Sequence, residues 1–445
     1  MAAFLIGFGP VDIGPASRDL EDAVAAYRAE GLPWEAKDLQ PNPPLSEDEN
    51  AAPLIEKAMP SFDFNSEVVL HDTTAMAESA ETGDFKALAT ELGPYDSGLD
   101  LAARATKMKG ADFHYDWDLE PYVQFPQLYA MKTMAFCFGF RARLAASRGD
   151  VSGAASNLEC ALKLADFSGQ IPSLFGMLVE IREQDLVFLQ YTRCAALFKD
   201  NPKALHALEK SISAYRSRGD LLFALRGEAY TGIVLFRNFD NYGGLTHFIE
   251  SITSTEAPPG VGPKEVQRTG LATGLWSRAF MDRQLRFWTA SIQALKKGHY
   301  TATALSAVGA SEKGGNKAWS MRFADMLMPE YPEIGEEIRK TDAWRETAKA
   351  LISALEVRAR TGKMPTSIAE VPGSWIDPFD GKPLRLWTDG ATIRIYSLGS
   401  NLKDYKGLNA MRSGKSDSTN IGAVYPPYRG RWEPSPAKRQ GTRVR

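Results

Sequence analysis

Between residues 112 and 122 the chain reads DFHYDWDLEPY, in which Asp112, Asp116, Asp118 and Glu120 alternate with Phe113, Tyr115, Trp117 and Tyr122. Paired carboxylates can share the acid and base or nucleophile duties at a glycosidic bond, and aromatic faces bind apolar faces of ligands beside polar groups. Asp116, Asp118 and Glu120 are therefore the candidate catalytic residues of a carbohydrate-active enzyme or sugar binder. The same alternation also suits a structural connector whose aromatic side chains pack inward while its acids face water. His114 has no second histidine at helical spacing with which to hold a metal, so it reads as a solvated or core histidine.

Other catalytic chemistry is thin. The chain has five histidines, none beside a plausible nucleophile, and no Gly-x-Ser-x-Gly, His-Glu-x-x-His or phosphate-binding loop. Gly7-Phe8-Gly9 lacks a third glycine at the dinucleotide spacing, and no Ser or Thr follows Lys264 in Gly260-Val261-Gly262-Pro263-Lys264. Cys137, Cys160 and Cys194 are odd in number and widely spaced, which excludes a disulfide framework or zinc ribbon and suits buried thiols. These absences favour a non-enzymatic protein.

The elements that must position these residues are mostly helices. At 445 residues the chain can hold two or three domains on a prior of ~150 residues each. A net charge of −3 with 44% apolar residues is ordinary for a globular chain and predicts no specific nucleic-acid binding. No apolar run reaches the roughly 18 residues of a membrane helix. Residues 1–9 (MAAFLIGFG) are apolar but lack a basic flank, and read as a short buried segment or the remnant of a leader. A helix follows from Ser17, then the prolines Pro41, Pro43 and Pro44, then Ser46 and Glu49 spaced as a capping box.

Helical periodicity runs from Thr73 to Ala105, broken at Gly93-Pro94, and again through residues 124–300. Ser147-Arg148-Gly149-Asp150, followed by Ala154, Leu158 and Ala161, has the turn and small residues of a tetratricopeptide-like (TPR-like) hairpin. The tetrad recurs at 217–220, roughly two ~34-residue repeats later. Each Arg-Gly-Asp could serve as an adhesion tripeptide, but an inter-helix turn with a capping aspartate explains it without a partner. Residues 253–274 and 309–317 read as surface loops, the second leading into a helix about Trp319, Phe323 and Met326. Trp276, Phe280 and Phe287 read as a core stripe.

Near the C-terminus the punctuation changes. Gly362 and Pro365 end a helix, Asp377-Pro378-Phe379-Asp380-Gly381 forms a turn, and Leu384–Trp387 and Ile393–Leu398 flank Asp389-Gly390 as a tight hairpin. With Tyr396-Ser397-Leu398-Gly399, Asn401 and Asp404, this order resembles the globular end of type II secretion major pseudopilins. It also resembles similar C-terminal modules of large bacterial envelope proteins. The Gly31-Leu32-Pro33 stretch, the proline run and Glu49-Asn50-Ala51-Ala52 also resemble the leader of those envelope proteins. The resemblance implies a calcium ion held by Asn401, Asp404 and Asp417, although Ser418-Thr419-Asn420 offers neutral oxygens where carboxylates are expected. A hydrogen-bonded loop held by Asp and Asn side chains is the alternative. The pseudopilin cleavage site and long apolar N-terminal helix have no counterpart.

The expected fold is mainly α: stacked helical hairpins, as a TPR-like solenoid or layered bundle, with a small C-terminal α+β meander. The expected divisions are an N-terminal helix and crossing (1–60), a helical body (61–345), the pilin-like module (346–428) and a basic disordered tail (429–445). The expected function is a non-enzymatic scaffold binding a protein or peptide partner. The resemblance sets it in the bacterial envelope, peripherally, near secretion or pilus assembly; a cytoplasmic adaptor is the other setting.

Overall fold

The computed structural model describes residues 20–62, 66–119, 123–216, 220–242, 271, 275–296, 331–407 and 420–427. Residues 1–9, Ser17, Glu120, Tyr122, 217–219, Asp417, the tail 429–445, the two loops (apart from Leu271) and the helix about Trp319 lie outside these, as do the side chains of Trp276 and Phe280.

The described chain is mainly helical and ends in a three-stranded antiparallel sheet. Its helices are α1 (Leu20–Ala29), α2 (Ala52–Ala58), α3 (Ser66–Thr82), α4 (Phe85–Leu92), α5 (Asp96–Ala105), α6 (Pro126–Ser147), α7 (Val151–Gly169), α8 (Leu174–Leu197), α9 (Pro202–Ala214), α10 (Leu221–Asn238), α11 (Leu275–Lys296) and α12 (Tyr331–Thr361). Their starts follow side-chain chemistry: Asp84, Asp150, Ser173, Asn201 and Asp220 each accept a first-turn N–H of α4, α7, α8, α9 and α10. In both Arg-Gly-Asp copies the aspartate is therefore a helix cap. The helical run from Thr73 breaks at Gly93-Pro94 as its periodicity suggests, in a 3-10 turn before α5, and it also breaks ten residues earlier, where Asp84 restarts it after Gly83.

Two spacings resolve differently from expectation. Ser46 and Glu49 form a turn, with the Ser46 N–H donating to Glu49 Oε2 at 3.3 Å, and do not cap a helix. Helix α2 starts beyond them, where Asn50 Oδ1 accepts the Ala52 N–H. The Asp389-Gly390 hairpin is a four-residue loop: Thr388 pairs with Ile393, and Asp389 Oδ1 accepts from both Ala391 and Thr392. Only Gly390 of that dipeptide takes positive φ, so the two-residue turn with both central angles positive is not formed.

Helices α6, α7 and α8 stack as successive neighbours and centre the larger core, which includes Leu128, Phe138, Phe140, Leu158, Phe167, Phe188 and Tyr191. The smaller core joins α1, Trp34, the start of α8, α10 and α11 through Tyr27, Leu174, Ile181, Phe236 and Trp288. Gly227 permits the approach of α10 to the α7–α8 turn, since a Cβ there would sit 1.4 Å from the Pro172 carbonyl oxygen. At the other side, Glu81 at the end of α3 pairs with Arg143 of α6 and Arg193 of α8 at 3.0 and 3.1 Å.

Helix α12 crosses residue 345 without a break. Ile334 enters the smaller core, while Ala348, Leu351, Ile352 and Leu355 enter the larger core together with Ile393, Ile395 and Ala423 of the sheet. It stops where Gly362, at φ +74°, donates its N–H to the Arg358 carbonyl. The sheet follows as β1 (Arg385–Thr388), β2 (Ile393–Ser397) and β3 (Ile421–Tyr425), in that spatial order, with Ser397 opposite Ile421.

Candidate functional site

The 112–119 segment is built onto the body by its backbone. Asn50 brackets Asp112, accepting its N–H at 2.9 Å and donating to its carbonyl at 3.0 Å. The Asp112 carboxylate in turn accepts the His114 N–H at 3.0 Å and lies 3.2 Å from His114 Nδ1. His114 adopts a left-handed conformation, φ +52°, which this double grip holds in place. A shallow, solvent-open cleft of about 30 Å³ lies alongside, lined by Pro41, Asp112, Phe113, His114, Tyr115 and Gln170 among others.

The candidate carboxylates stand in different environments. Asp116 is exposed and accepts the Asp118 N–H at 3.3 Å. Asp118 is buried and accepts the Tyr230 hydroxyl of α10 at 2.5 Å. Tyr230 neighbours Arg237, a buried cation that donates to the Trp34 carbonyl and stacks on the Trp34 ring at 4.5 Å. Burial first, and Asp118 second, hold the Tyr230 hydroxyl protonated well above its ordinary range. Asp118 therefore ties the segment to α10, correcting the expectation that every acid of the stretch faces water. Glu120 lies outside the described residues.

The aromatic residues converge. Phe113, Tyr115 and Phe125 follow one another at centroid separations of 5.8 and 4.9 Å, with Trp117 behind them, and the row continues from Phe125 to Phe175 (6.2 Å) and Tyr129 (6.0 Å). Phe125 precedes α6, which carries Tyr129; Phe175 opens α8. The outer end of the row faces solvent: Tyr129 is 59% exposed, Phe175 39% and Leu178, one turn on from Phe175, 41%. Single exposed apolar side chains need no explanation, but neighbouring ones from two helices form a surface of the kind that binds partners. Sequence reasoning singled out Phe113, Tyr115 and Trp117, and missed Phe125, Tyr129 and Phe175. Their only sequence signal is an aromatic residue at an outward position of each helix, and the helix pairing supplies the rest.

At the C-terminal module, Asp377 is fully buried and its carboxylate accepts from Phe379 N, Ser397 Oγ, Leu398 N and Arg385 at 2.7–2.9 Å. Arg385 also pairs with Asp380, so the Asp-Pro-Phe-Asp-Gly turn is a clamp on the end of β2. The residues considered for calcium are engaged otherwise. Asn401 Oδ1 accepts the Lys403 N–H, and Asp404 Oδ1 accepts the Tyr396 hydroxyl and the Lys406 N–H. The buried Asn420 amide fills the centre of the loop, donating to the Leu398 and Lys403 carbonyls and accepting from the Tyr405 and Gly407 N–H groups. Calcium needs about six to eight converging oxygens. Asn401 Oδ1 and Asp404 Oδ1 face N–H and O–H donors; Asp417 lies outside the described residues.

Comparisons with protein families, curated proteins and solved structures gave no match to this chain.

Proposed function

We propose that the protein is a non-enzymatic interaction protein whose helical body docks a peptide or protein segment on the outer aromatic row. The observation that carries this reading is the exposure of Tyr129 and Phe175, in ring contact beside Phe125, with exposed Leu178 one turn further along α8. Tyrosine and other large aromatic side chains anchor interfaces because they bury much apolar area while losing few rotamers. The test is a photo-crosslinking amino acid placed at Tyr129 in the native host. Discrete protein adducts at position 129, absent when the same group is placed at the exposed Lys203 of α9, are the expected result. No adduct, or equal adducts at both positions, would overturn it.

We further propose an envelope setting, supported by the order of the Gly362–Asp404 motifs, with the helix pairs acting as a TPR-like scaffold. Cell fractionation with mass spectrometry of the N-terminus tests it: membrane retention or a processed terminus supports it, and a soluble chain starting at Met1 or Ala2 favours the cytoplasmic adaptor. One observation favours the sugar-binding reading, namely the cleft that sets Asp112, His114 and Gln170 beside Phe113 and Tyr115. Oligosaccharide titration of the wild type and of Tyr115→Ala separates the two readings. Binding lost with Tyr115 and indifferent to Tyr129→Ala would replace the peptide with a sugar.

A further inference from the structure

Beyond the exposed aromatics of α6 and α8 stand two cations. Lys132 lies one turn after Tyr129, and Arg182 one turn after Leu178; both are exposed. Spacings of three and four residues place each cation on the same helix face as its apolar neighbour. Neither forms an ion pair or hydrogen bond with another described residue. Although Lys132 is exposed, partial desolvation by its neighbours first, and the Arg182 charge second, hold its amine below the ordinary value, so the two cations act against each other.

The acids nearest them, Glu183 and Asp185, compensate only in part. Glu183 is fully buried beneath the surface, and burial holds its carboxyl well above the ordinary range. Asp185, a turn from Arg182, bonds to the Thr341 hydroxyl at 2.9 Å, and burial pushes its carboxyl up to about 7. Its other charged neighbours are Glu337 and Lys340 of α12. Positive charge is thus left at one end of an apolar row whose other end carries Asp112 and Asp116.

We propose that this surface takes an acidic amphipathic peptide, with apolar side chains on Tyr129, Phe175 and Leu178 and carboxylates over Lys132 and Arg182. Carboxylates arriving there would relieve the repulsion between the two cations. The acids at the far end of the row would repel the same peptide in the reverse direction, which fixes its orientation. The inference rests on the docking surface proposed above and adds the partner's charge and direction.

The test is selection of a random dodecapeptide display library on the full chain, with the selected peptides then measured by fluorescence anisotropy. Peptides rich in Asp or Glu beside aromatic or branched side chains are expected. Their affinity should fall about tenfold in Lys132→Glu/Arg182→Glu and should also fall between about 50 and about 500 mM sodium chloride. Selection on the charge-reversed protein should return Lys- and Arg-rich peptides. Lys132→Gln/Arg182→Gln, with unchanged circular dichroism, repeats the measurement without adding charge near Glu183. Peptides that bind through Tyr129 and Phe175 but ignore salt and both charge variants would overturn this inference while leaving the docking surface. Peptides indifferent to Tyr129→Ala/Phe175→Ala, or no selected peptides at all, would overturn both.

Discussion

The two aspartates of the Trp117 segment differ in what they touch, and their substitutions should differ accordingly. Asp116→Ala removes an exposed acceptor and should change stability by under about 0.5 kcal/mol. Asp118→Ala deprives the Tyr230 hydroxyl and its neighbour Arg237 of a buried acceptor, and should cost about 2 kcal/mol in urea unfolding. Equal effects would show that the buried bond does not hold the segment. Asp377 is the more severe case: removing its carboxylate orphans the Ser397 and Leu398 donors and half of Arg385's ion pairing. Asp377→Ala should cost about 3 kcal/mol or more, with Asp377→Asn smaller because it keeps an acceptor. Of these roles only the clamp turn was legible in sequence. The Asp-Pro-Phe-Asp-Gly order marks a turn locally, whereas nothing local distinguishes the environment of Asp116 from that of Asp118.

Elements were readable where their signals are local. The stop at Gly362 and the caps at Asp150 and Asp220 follow from residue type, because one side chain or one φ angle suffices. The start of α12 is invisible to periodicity because Tyr331–Asp342 carries few apolar residues (the helix there is held partly by Lys340 with Glu336 and Glu337). Strand β3 was missed for a different reason: its pairing with β2 spans the 398–420 loop and depends on Asn420. Asn420→Ala should lower the melting temperature of the chain by several degrees, roughly 2–4 °C per kcal/mol lost. EDTA on the wild type should leave it unchanged. A fall on chelation would instead give the loop to calcium, with Asp417 as the missing carboxylate.

Over the whole molecule, buried carboxyls set the response to pH. Glu183, Asp185 and Glu228 are all raised, in each case chiefly by burial. A carboxyl raised in the folded state contributes stability that is complete below its unfolded pKa of about 4 and is lost as pH climbs through its folded value. Urea midpoints should therefore fall between about pH 5 and about pH 8, and Glu183→Gln should flatten that slope. A midpoint that stays flat over this interval would mean the three groups ionise in the folded protein as readily as in the unfolded chain. Exposed acids such as Glu49 and Asp389, whose hydrogen bonds hold them below the ordinary range, act oppositely and only at lower pH.

Helix α8 carries Phe175 of the aromatic row in its first turn, and just past its last turn the Lys199 carbonyl and Asp200 meet Arg358, which stands 5.8 Å over Tyr425 of the sheet. Its 24 residues make a rod about 36 Å long between the two ends. The helix is therefore a ruler. A partner with one contact at the row and another at the sheet must span that fixed interval, and a linker shorter than about ten extended residues could not engage both at once.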